Sequence, residues 1–300
     1  MKKITVSIGI PAYNEQANIK KLLLSLLAQK GDNFTLKEII VVSDCSIDNT
    51  DQEVKTVKSK LITHKRNKNR MGIAYGQNKI IKFFSGEILI LLNADILVED
   101  PKFIDYLVQP FRTNKNIGLV SPKVQPLRAS NFFEKMINFS VECREAMLQK
   151  WNDGDNALHC QGLARAFNQK LAKNIEFSSS VGEDAFSYFK CLMLGFHFKY
   201  QKKTTVYYRS PNNYGDFKNQ SYRFLNSQKI MANFFGQSKV KQAYHIPLDL
   251  ELKAIFIFLF KNPVYWVFYA TIFLYFCITS NQKKYTNPVW DIASSSKVLK

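Results

Sequence analysis

The sequence predicts an α/β fold whose central sheet is mostly parallel and covered by helices on both faces. Short apolar runs alternate with segments of helical periodicity from residue 4 to residue 111, which is the pattern of a doubly wound sheet. One of these runs, residues 88–92, contains only apolar residues, as expected for a strand buried on both faces. Polar residues follow directly after several of the runs, where ligands bind in open α/β sheets.

Four strands and four helices account for this region. The predicted strands cover residues 4–10, 38–42, 61–64 and 88–92, and Pro11 is expected to stop the first of them. Apolar residues recur at helical spacing from Ile19 to Leu27, which predicts the first helix. The second helix begins near Asp48, the third runs from Gly72 to Phe84, and the fourth runs from Pro101 to Phe111.

After residue 111 the regular alternation ends. The predicted elements are a strand at 118–120, a helix at 132–151, a strand at 163–167, a helix at 185–194, two aromatic strands at 196–200 and 205–208, and a helix from about 219 to 234.

Composition narrows the possible functions. The formal charge of +18, from 42 Lys and Arg against 24 Asp and Glu, suits anionic lipid, phosphorylated ligands or nucleic acid. Arg-Gly repeats and zinc-finger spacings are absent, so nucleic acid is not expected as a partner. The five cysteines are scattered and form no CxxC pair, which indicates a reducing compartment without a disulfide framework.

The C-terminal part of the chain differs from the rest. The segment 254–260 is entirely apolar, Lys261-Asn262-Pro263 interrupts it, and residues 264–279 carry no charge and many aromatic rings. We predict a domain over residues 1–240 and a tail over residues 241–300 that associates with membrane through residues 254–279. A spanning helix and a hairpin in the membrane plane both fit this pattern. A buried core helix is less expected, because the first domain is already complete.

The polar segments after the strands form an ordered set. They are Pro11-Ala12-Tyr13-Asn14-Glu15, the segment 43–50, Asn93-Ala94-Asp95 and, much later, Gly182-Glu183-Asp184. This set resembles glycosyltransferase family 2, whose members are inverting enzymes with a GT-A (Rossmann-like) nucleotide-sugar domain. The resemblance extends from about Thr5 to Phe224. It implies transfer of a sugar from a nucleotide-sugar donor.

The resemblance implies a metal site at the end of the fourth strand. Asp95 matches the aspartate that holds Mg²⁺ or Mn²⁺ in the family's Asp-x-Asp motif, and the metal neutralises the departing diphosphate. Asn93 replaces the first aspartate of that motif, so we expect weaker metal binding. Taken alone, Asp95 would be read as a residue that caps the next turn.

The resemblance also assigns the donor-binding residues. They are Pro11, Ala12, Tyr13 and Glu15 in the first loop, Asp44 after the second strand, Arg70 before the third helix, Asn78 within it, and Asn93. Asp44 matches the second residue of an Asp-Asp pair that contacts the uracil or ribose, and Ser43 replaces the first. Arg70 is expected to reach the diphosphate, although a solvated basic loop explains it equally well when it is taken singly.

Asp184 matches the family's general base, which deprotonates the acceptor hydroxyl. An N-cap of the following helix would look the same in sequence, and both roles are compatible. Glu183 is the neighbouring candidate. Gln220 and Arg223 match the Gln-x-x-Arg-Trp motif of processive members, in which Arg223 would meet the pyrophosphate and Gln220 the acceptor.

These expectations define one function and one alternative. The chain is expected to be a membrane-associated glycosyltransferase that adds one sugar at a time to a lipid-linked or cell-surface glycan acceptor. Phe224 stands where processive members have Trp, which is why single transfer is expected. The catalytic domain is expected at the cytoplasmic face of the membrane, where nucleotide sugars are made. The alternative is a catalytically weakened paralogue that binds nucleotide sugars, with Ser43 and Asn93 as signs of lost chemistry.

Overall fold

The computed structural model describes residues 2–178 and 182–280, together with Lys297 and Leu299. The strands are β1 (Ile4–Ala12), β2 (Phe34–Ser43), β3 (Ile62–Arg66), β4 (Ile88–Leu92), β5 (Ile117–Pro126), β6 (Ala164–Asn168) and β7 (His197–Tyr208). The helices are α1 (Ile19–Leu27), α2 (Thr50–Thr56), α3 (Ile73–Phe83), α4 (Phe103–Thr113), α5 (Phe132–Leu148), α6 (Gln169–Lys173), α7 (Glu183–Met193), α8 (Tyr214–Phe235), α9 (Gln237–Ala243), α10 (Leu248–Lys261) and α11 (Pro263–Ser280).

The strands form one sheet in the order β3-β2-β1-β4-β6-β5-β7. Strands β3, β2, β1 and β4 are mutually parallel, whereas β6 is antiparallel to both of its neighbours. The mostly parallel α/β sheet predicted from the sequence is therefore confirmed. The carboxyl ends of β1, β2 and β4 meet at one edge, because neighbouring parallel strands end on the same side.

Two apolar layers sandwich the sheet. Ile8, Ile90 and Val120 face one layer with α1, α2 and α4, and residues such as Leu89 and Leu91 face the other with α3, α6 and α7. All five residues of β4 are buried. Consecutive strand residues point to opposite faces, so a strand in this position must be apolar throughout.

Several element boundaries differ from the sequence prediction. Strand β1 continues through Pro11 to Ala12, because its pairing with β4 ends at Gly9 and no backbone N–H is needed on that side beyond it. The two predicted aromatic strands are one continuous strand, β7, which follows β5 with an irregularity in register between Pro122 and Lys123. Short α6 was not predicted, and α8 begins within the segment read as a loop.

Helices α10 and α11 pack against α5 and α8. The ring of Phe258 stacks on Phe139 of α5 at 4.8 Å, and Phe276 meets Tyr222 of α8 edge-to-face at 5.1 Å. Within residues 2–178 and 182–280, no helix combines the length and the apolar character that crossing a membrane requires. The predicted boundary at residue 240 stays a prediction, and residues 281–296 of the predicted tail lie outside the described residues.

A buried polar cluster fixes the segment between α5 and β6. His159 Nε2 lies 3.1 Å from Glu145 Oε2, its Nδ1 lies 2.7 Å from the carbonyl oxygen of Gly154, and its ring stacks on Tyr200 at 3.9 Å. The Tyr200 hydroxyl donates to Glu145 Oε1 at 2.5 Å. Burial alone would raise the pKa of Glu145, but the hydrogen bonds from His159 and Tyr200 outweigh it and lower that pKa to about 2.

This cluster predicts a pH-dependent contribution to stability. The pKa of Glu145 is lower in the folded chain than its ordinary value of 4.5, so its contribution is present above pH 4.5 and is lost as the pH falls toward 2. We expect Glu145→Gln to lower the free energy of unfolding by about 2 kcal/mol near neutral pH and by less near pH ~3. Urea unfolding at both pH values measures this. Exposed Glu142→Gln on the same helix is the control, and equal losses for the two variants would contradict the prediction.

Candidate functional site

A cavity of about 550 Å³ lies at the carboxyl ends of β1, β2 and β4, and it is closed on the other side by α7 and α8. Most of the residues singled out in the sequence line it. They are Pro11, Ala12, Tyr13, Glu15, Asp44, Arg70, Asn93, Asp95, Glu183, Asp184, Gln220 and Arg223. The structure thus brings together side chains that are up to about two hundred residues apart in the chain.

The loops that follow β1 and β2 are tied to one another. Asn14 Oδ1 accepts from the backbone N–H of Ile47 at 3.0 Å, and Thr50 Oγ1 accepts from the backbone N–H of Glu15 at 2.7 Å. The guanidinium of Arg70 lies 4.1 Å from the ring centroid of Tyr13, a cation–π contact. These contacts place Tyr13 and Arg70 together at one end of the cavity.

Asp44 organises the loop before α3. Its Oδ1 accepts from Asn67 Nδ2 at 2.8 Å and from the backbone N–H of Met71 at 2.9 Å, and its Oδ2 accepts from Gly72 N–H at 2.8 Å. Gly72 has φ of 89°, a conformation that favours glycine. A carboxylate with this many donors from one loop fixes the loop, and with it the position of Arg70.

Glu15 and Asp95 form an acidic pair deep in the cavity. Burial and the charge of Asp95 raise the pKa of Glu15 to about 7, while Lys297 opposes this. Lys297 Nζ lies 2.5 Å from Glu15 Oε1 and 3.2 Å from the carbonyl oxygen of Asn14. Burial also raises the pKa of Asp95, and the charges of Lys297 and Arg223 act against it. Two carboxylates in such surroundings favour a cation between them.

The end of β4 offers oxygen atoms that suit a hard divalent cation. Asn93 Oδ1 is buried and has no hydrogen-bond partner in the described part of the chain, and the Asp95 carboxylate follows two residues later. Mg²⁺ and Mn²⁺ prefer such oxygen ligands and take few of them from protein when phosphates supply the rest. No group of three or more His, Cys, Asp or Glu that could hold a metal occurs among residues 2–178 and 182–280. The oxygen atoms of Asn93 and Asp95 fit a metal that takes its other ligands from a phosphate group.

Asp184 lies in the first turn of α7, and the N-cap of that helix is Gly182 rather than Asp184, which corrects the reading of Asp184 as a helix cap. Its Oδ1 accepts from the backbone N–H of Ala185 at 2.7 Å. A Cβ on Gly182 would collide with Ser227 Oγ of α8, so glycine permits the close approach of α7 and α8. Burial and the charge of Asp184 raise the pKa of neighbouring Glu183.

Helix α8 supplies a positive charge that faces both acidic groups. Arg223 lines the cavity, and its charge partly opposes the burial that raises the pKa values of Asp95 and Glu183. Gln220 and Phe224 line the cavity on the same face of the helix. The adjacent residue Tyr222 points the other way, where its hydroxyl donates to the carbonyl oxygen of Thr279 at 3.1 Å.

Asn78 is the exception among the predicted residues. Its predicted role in donor binding is wrong, because its side chain does not line the cavity. Its Nδ2 donates to the carbonyl oxygen of Phe177 at 2.8 Å, and its Oδ1 accepts from the Phe177 backbone N–H at 2.8 Å. Both polar atoms therefore join α3 to the segment that precedes α7.

Sequence reasoning missed other residues of the cavity wall. They include Arg144, Gln161, Ser227, Tyr244 and Lys297, and Arg209 also lines the cavity. Arg209 forms a buried ion pair with Glu134 at 3.0 Å. None of these residues follows a core strand of the first half of the chain, so the pattern of polar strand ends gave no signal for them.

A parallel half-sheet with polar loops at its carboxyl edge, a carboxylate after β4 and a second carboxylate at the start of α7 are features of the GT-A class of glycosyltransferases. The model of the family described as "Glycosyl transferase family 2" matches residues 7–175, more than half of the chain. The chain belongs to this family and is a glycosyltransferase that uses nucleotide sugars.

Curated relatives of similar sequence are polysaccharide synthases. The chain is 22% identical to poly-beta-1,6-N-acetyl-D-glucosamine synthase of Staphylococcus epidermidis, over 94% of this chain and 67% of that protein. It is 24% identical to the synthase of the same name from Staphylococcus aureus strain COL, over 90% of this chain and 64% of that protein. The chain thus spans about two thirds of the length of these relatives.

Solved structures share the fold. A mannosyltransferase from Pyrobaculum calidifontis, in complex with GDP-Man and Mn²⁺, aligns with a TM-score of 0.65 at 18% identity, over 96% of this chain and 78% of that chain. TarS of S. aureus, residues 1–349, aligns with a TM-score of 0.54 at 16% identity, over 85% of this chain and 80% of that chain. At these identities the likeness establishes the GT-A-like fold.

The contacts of Asp44 predict that its two carboxylate oxygens together hold the loop 67–72. Asp44→Asn replaces one of these oxygens with an NH₂ group, which cannot accept a hydrogen bond, so the backbone N–H groups of Met71 and Gly72 can no longer both be bound as in the wild type. We expect hydrogen exchange in residues 67–72 to rise about tenfold, measured by mass spectrometry. Asp32→Asn, at a fully exposed position, is the matched control. Unchanged exchange in Asp44→Asn would show that the loop is held by other contacts.

Proposed function

We propose that the chain is a membrane-associated, inverting glycosyltransferase that moves one sugar from a nucleotide-sugar donor to a glycan or lipid-linked acceptor. The observation that carries this proposal is the cavity itself. One wall is formed by the loops after β1, β2 and β4, and the opposite wall by Asp184 and Arg223. A donor between these walls would present its nucleotide to the loops and its anomeric carbon to Asp184.

The donor's diphosphate would bind among cationic groups. Arg70, Arg223 and Lys297 all line the cavity, and a guanidinium is suited to phosphate oxygens. Asp95 and the buried Oδ1 of Asn93 would hold Mg²⁺ or Mn²⁺, which neutralises charge on the departing diphosphate when it is bound. The Mn²⁺ in the mannosyltransferase structure supports this assignment. An amide in place of a carboxylate predicts weaker metal binding.

Asp184 would act as the base that accepts the proton of the acceptor hydroxyl. Its carboxylate lines the cavity, and the hydrogen bond from Ala185 N–H occupies only one of its oxygens. A carboxylate retains further lone pairs after one such bond, so it can accept from a substrate hydroxyl as well. Attack opposite the diphosphate would invert the anomeric carbon.

The acceptor side favours single transfers. Phe224 lines the cavity beside Gln220 and Arg223, at the position where processive members carry Trp, and its side chain is 43% exposed. The names of the relatives support a polysaccharide or other cell-envelope glycan as the acceptor class.

Helices α10 and α11 would hold the enzyme on the cytoplasmic face of a membrane. One side of the pair packs on α5 and α8, whereas many large apolar side chains on the other side are exposed. They include Phe256, Phe260, Val267, Leu274 and Ile278. Exposed apolar side chains in this number on one pair of helices are typical of membrane contact, and the net charge of +18 suits anionic lipid.

A screen of nucleotide sugars tests the proposal. Purified full-length chain, incubated with Mn²⁺ and a panel that includes UDP-N-acetylglucosamine and GDP-mannose, is expected to release nucleoside diphosphate from at least one donor. Binding of a nucleotide sugar without any release, even with glycan acceptors present, would favour the weakened paralogue. Failure to bind any member of the panel would contradict both functions.

The role of Asp184 predicts a selective loss of turnover. Asp184→Asn retains the shape and one acceptor oxygen but cannot take the acceptor's proton. Loss of a general base typically slows a reaction by ~10²–10⁴-fold, so we expect at least about a hundredfold slower transfer. Calorimetry should give nucleoside diphosphate affinities for the variant close to those of the wild type. Normal turnover in Asp184→Asn would move the search for the base to Glu183.

The exposed apolar surface predicts binding to anionic vesicles. A charge placed in this surface opposes insertion into lipid, so Phe260→Asp combined with Leu274→Asp should reduce co-sedimentation with phosphatidylglycerol vesicles by about tenfold or more. The side chains replaced are 78% and 61% exposed, which limits any effect on folding. Leu24→Asp, at a 51% exposed position on α1, is the control and should bind like the wild type. Equal binding of all three proteins would contradict membrane contact through α10 and α11.

A further inference from the structure

An arginine is completely buried inside the sheet. Arg165 belongs to β6, pairs with Leu91 of β4 and has no exposed surface. A guanidinium keeps its charge at any pH that the protein meets, so its burial is unfavourable unless hydrogen bonds compensate for it. An apolar side chain at this position would fill the same space without that penalty. The hydrogen bonds of Arg165 therefore indicate what it contributes.

Those hydrogen bonds converge on the first turns of α7. Arg165 Nη1 donates to the carbonyl oxygen of Glu183 at 2.6 Å and to Ser187 Oγ at 2.7 Å. Ser187 Oγ also donates to the same carbonyl oxygen at 2.5 Å. On the other side, Arg165 Nη2 donates to Gln77 Oε1 of α3 at 3.3 Å. One guanidinium thus joins a central strand, the helix after the donor loop and the start of α7.

The carbonyl group that Arg165 holds belongs to the peptide that leads into Asp184. Fixing this peptide plane restricts the backbone on the N-terminal side of Asp184, and so the direction of its Cα–Cβ bond. Hydrogen bonds to charged donors are stronger than those between neutral groups. Arg165 makes no hydrogen bond to a carboxylate in the described part of the chain, and its charge only partly offsets the burial and the charge of Asp184, which raise the pKa of Glu183.

We propose that Arg165 is a positioning residue that fixes the peptide between Glu183 and Asp184 and thereby directs the Asp184 carboxylate into the cavity. This inference rests on the proposed function, in which Asp184 takes the acceptor's proton. Arg165 itself does not line the cavity, so it acts through the backbone of α7 and through Ser187. The hydrogen bond to Gln77 fixes the position of the guanidinium relative to α3.

Hydrogen exchange tests the inference without any substrate. Arg165→Met keeps an unbranched side chain and removes every donor. We expect exchange in residues 183–187 to rise about tenfold in this variant, because the loss of charged hydrogen bonds loosens the first turns of α7. Ser187→Ala removes one hydrogen-bond partner of Arg165 within α7. It should raise exchange in residues 183–187 by a smaller factor than Arg165→Met does. Arg165→Lys retains one donor group, so its hydrogen exchange in residues 183–187 should be intermediate between that of Arg165→Met and that of the wild type.

The matched control is Val120→Ala. Val120 is buried in the neighbouring strand β5, pairs with Ala166 of β6 and faces the apolar layer opposite α7. Its truncation weakens the same sheet without touching the base. The inference would be overturned if hydrogen exchange in residues 183–187 were unchanged in both Arg165→Met and Ser187→Ala. It would also be overturned if Val120→Ala raised this exchange as much as Arg165→Met does.

Kinetics with a donor found in the screen supplies a second readout. Arg165→Met should lower kcat about tenfold or more while the KM for the donor stays within about twofold, because donor-binding residues are untouched. Val120→Ala should lower the melting temperature without lowering kcat selectively relative to the donor KM. A rise in donor KM with unchanged kcat would overturn the positioning role. Absence of any turnover in the wild type would count against the proposed function, and the exchange experiment would still decide the role of Arg165.

Discussion

Burial of β4 on both faces is the constraint on which the fold and the site depend. Every residue of Ile88–Leu92 is buried, with β1 on one side and β6 on the other. The first polar atoms after this strand can emerge only at its carboxyl end, where Asn93 and Asp95 face the loops after β1 and β2. The facing residue of β6, Arg165, is also buried, and its Nη1 and Nη2 atoms donate hydrogen bonds to α7 and α3.

The first half of the fold could be predicted because its signals are local. Helix α1 and strand β4 have the predicted bounds, since apolar spacing alone determines them. Most donor-side residues could be placed because parallel strands end at one edge. Asn78 could not be, since its partner Phe177 is 99 residues away and leaves no local pattern. The sequence predicted two strands where β7 is continuous. The continuity depends on the pairing of β7 with β5, which includes an irregularity in register, and such pairing between distant segments leaves no local pattern in the sequence.

Residues of the second half were harder to predict for a related reason. Arg165 in β6 looks like an ordinary strand residue, and only its burial against α7 shows what it contacts. Tyr244 reaches the cavity from the segment after α9, and Lys297 reaches it from near the end of the chain. These contacts depend on how distant elements pack. Such packing is not encoded in the spacing of neighbouring residues.

The balance of charge in the cavity suits a nucleoside diphosphate bound with a cation. Acidic groups lie on two sides of the cavity. Glu15 and Asp95 form one group, and the carboxylates at the start of α7 form the other. The positive charge of Arg223 partly offsets the raised pKa of Asp95 in the first group and of Glu183 in the second. The pKa of Glu15 is raised to about 7 and that of Asp95 is also raised, so the pair is destabilised as two anions. A divalent metal bound together with a diphosphate would add positive charge near the pair, and the arginines would bind the diphosphate oxygens.

Calorimetric titration of the full-length chain with UDP and GDP, with and without Mn²⁺, tests the central claim most directly. We predict that the affinity of the preferred nucleotide rises about tenfold or more when Mn²⁺ is present, that Asp95→Ala removes this rise, and that Asp184→Asn retains it. This pattern would place the metal and the diphosphate at the end of β4 and leave α7 to the acceptor. Equal affinities with and without Mn²⁺ in both the wild type and Asp95→Ala would contradict it.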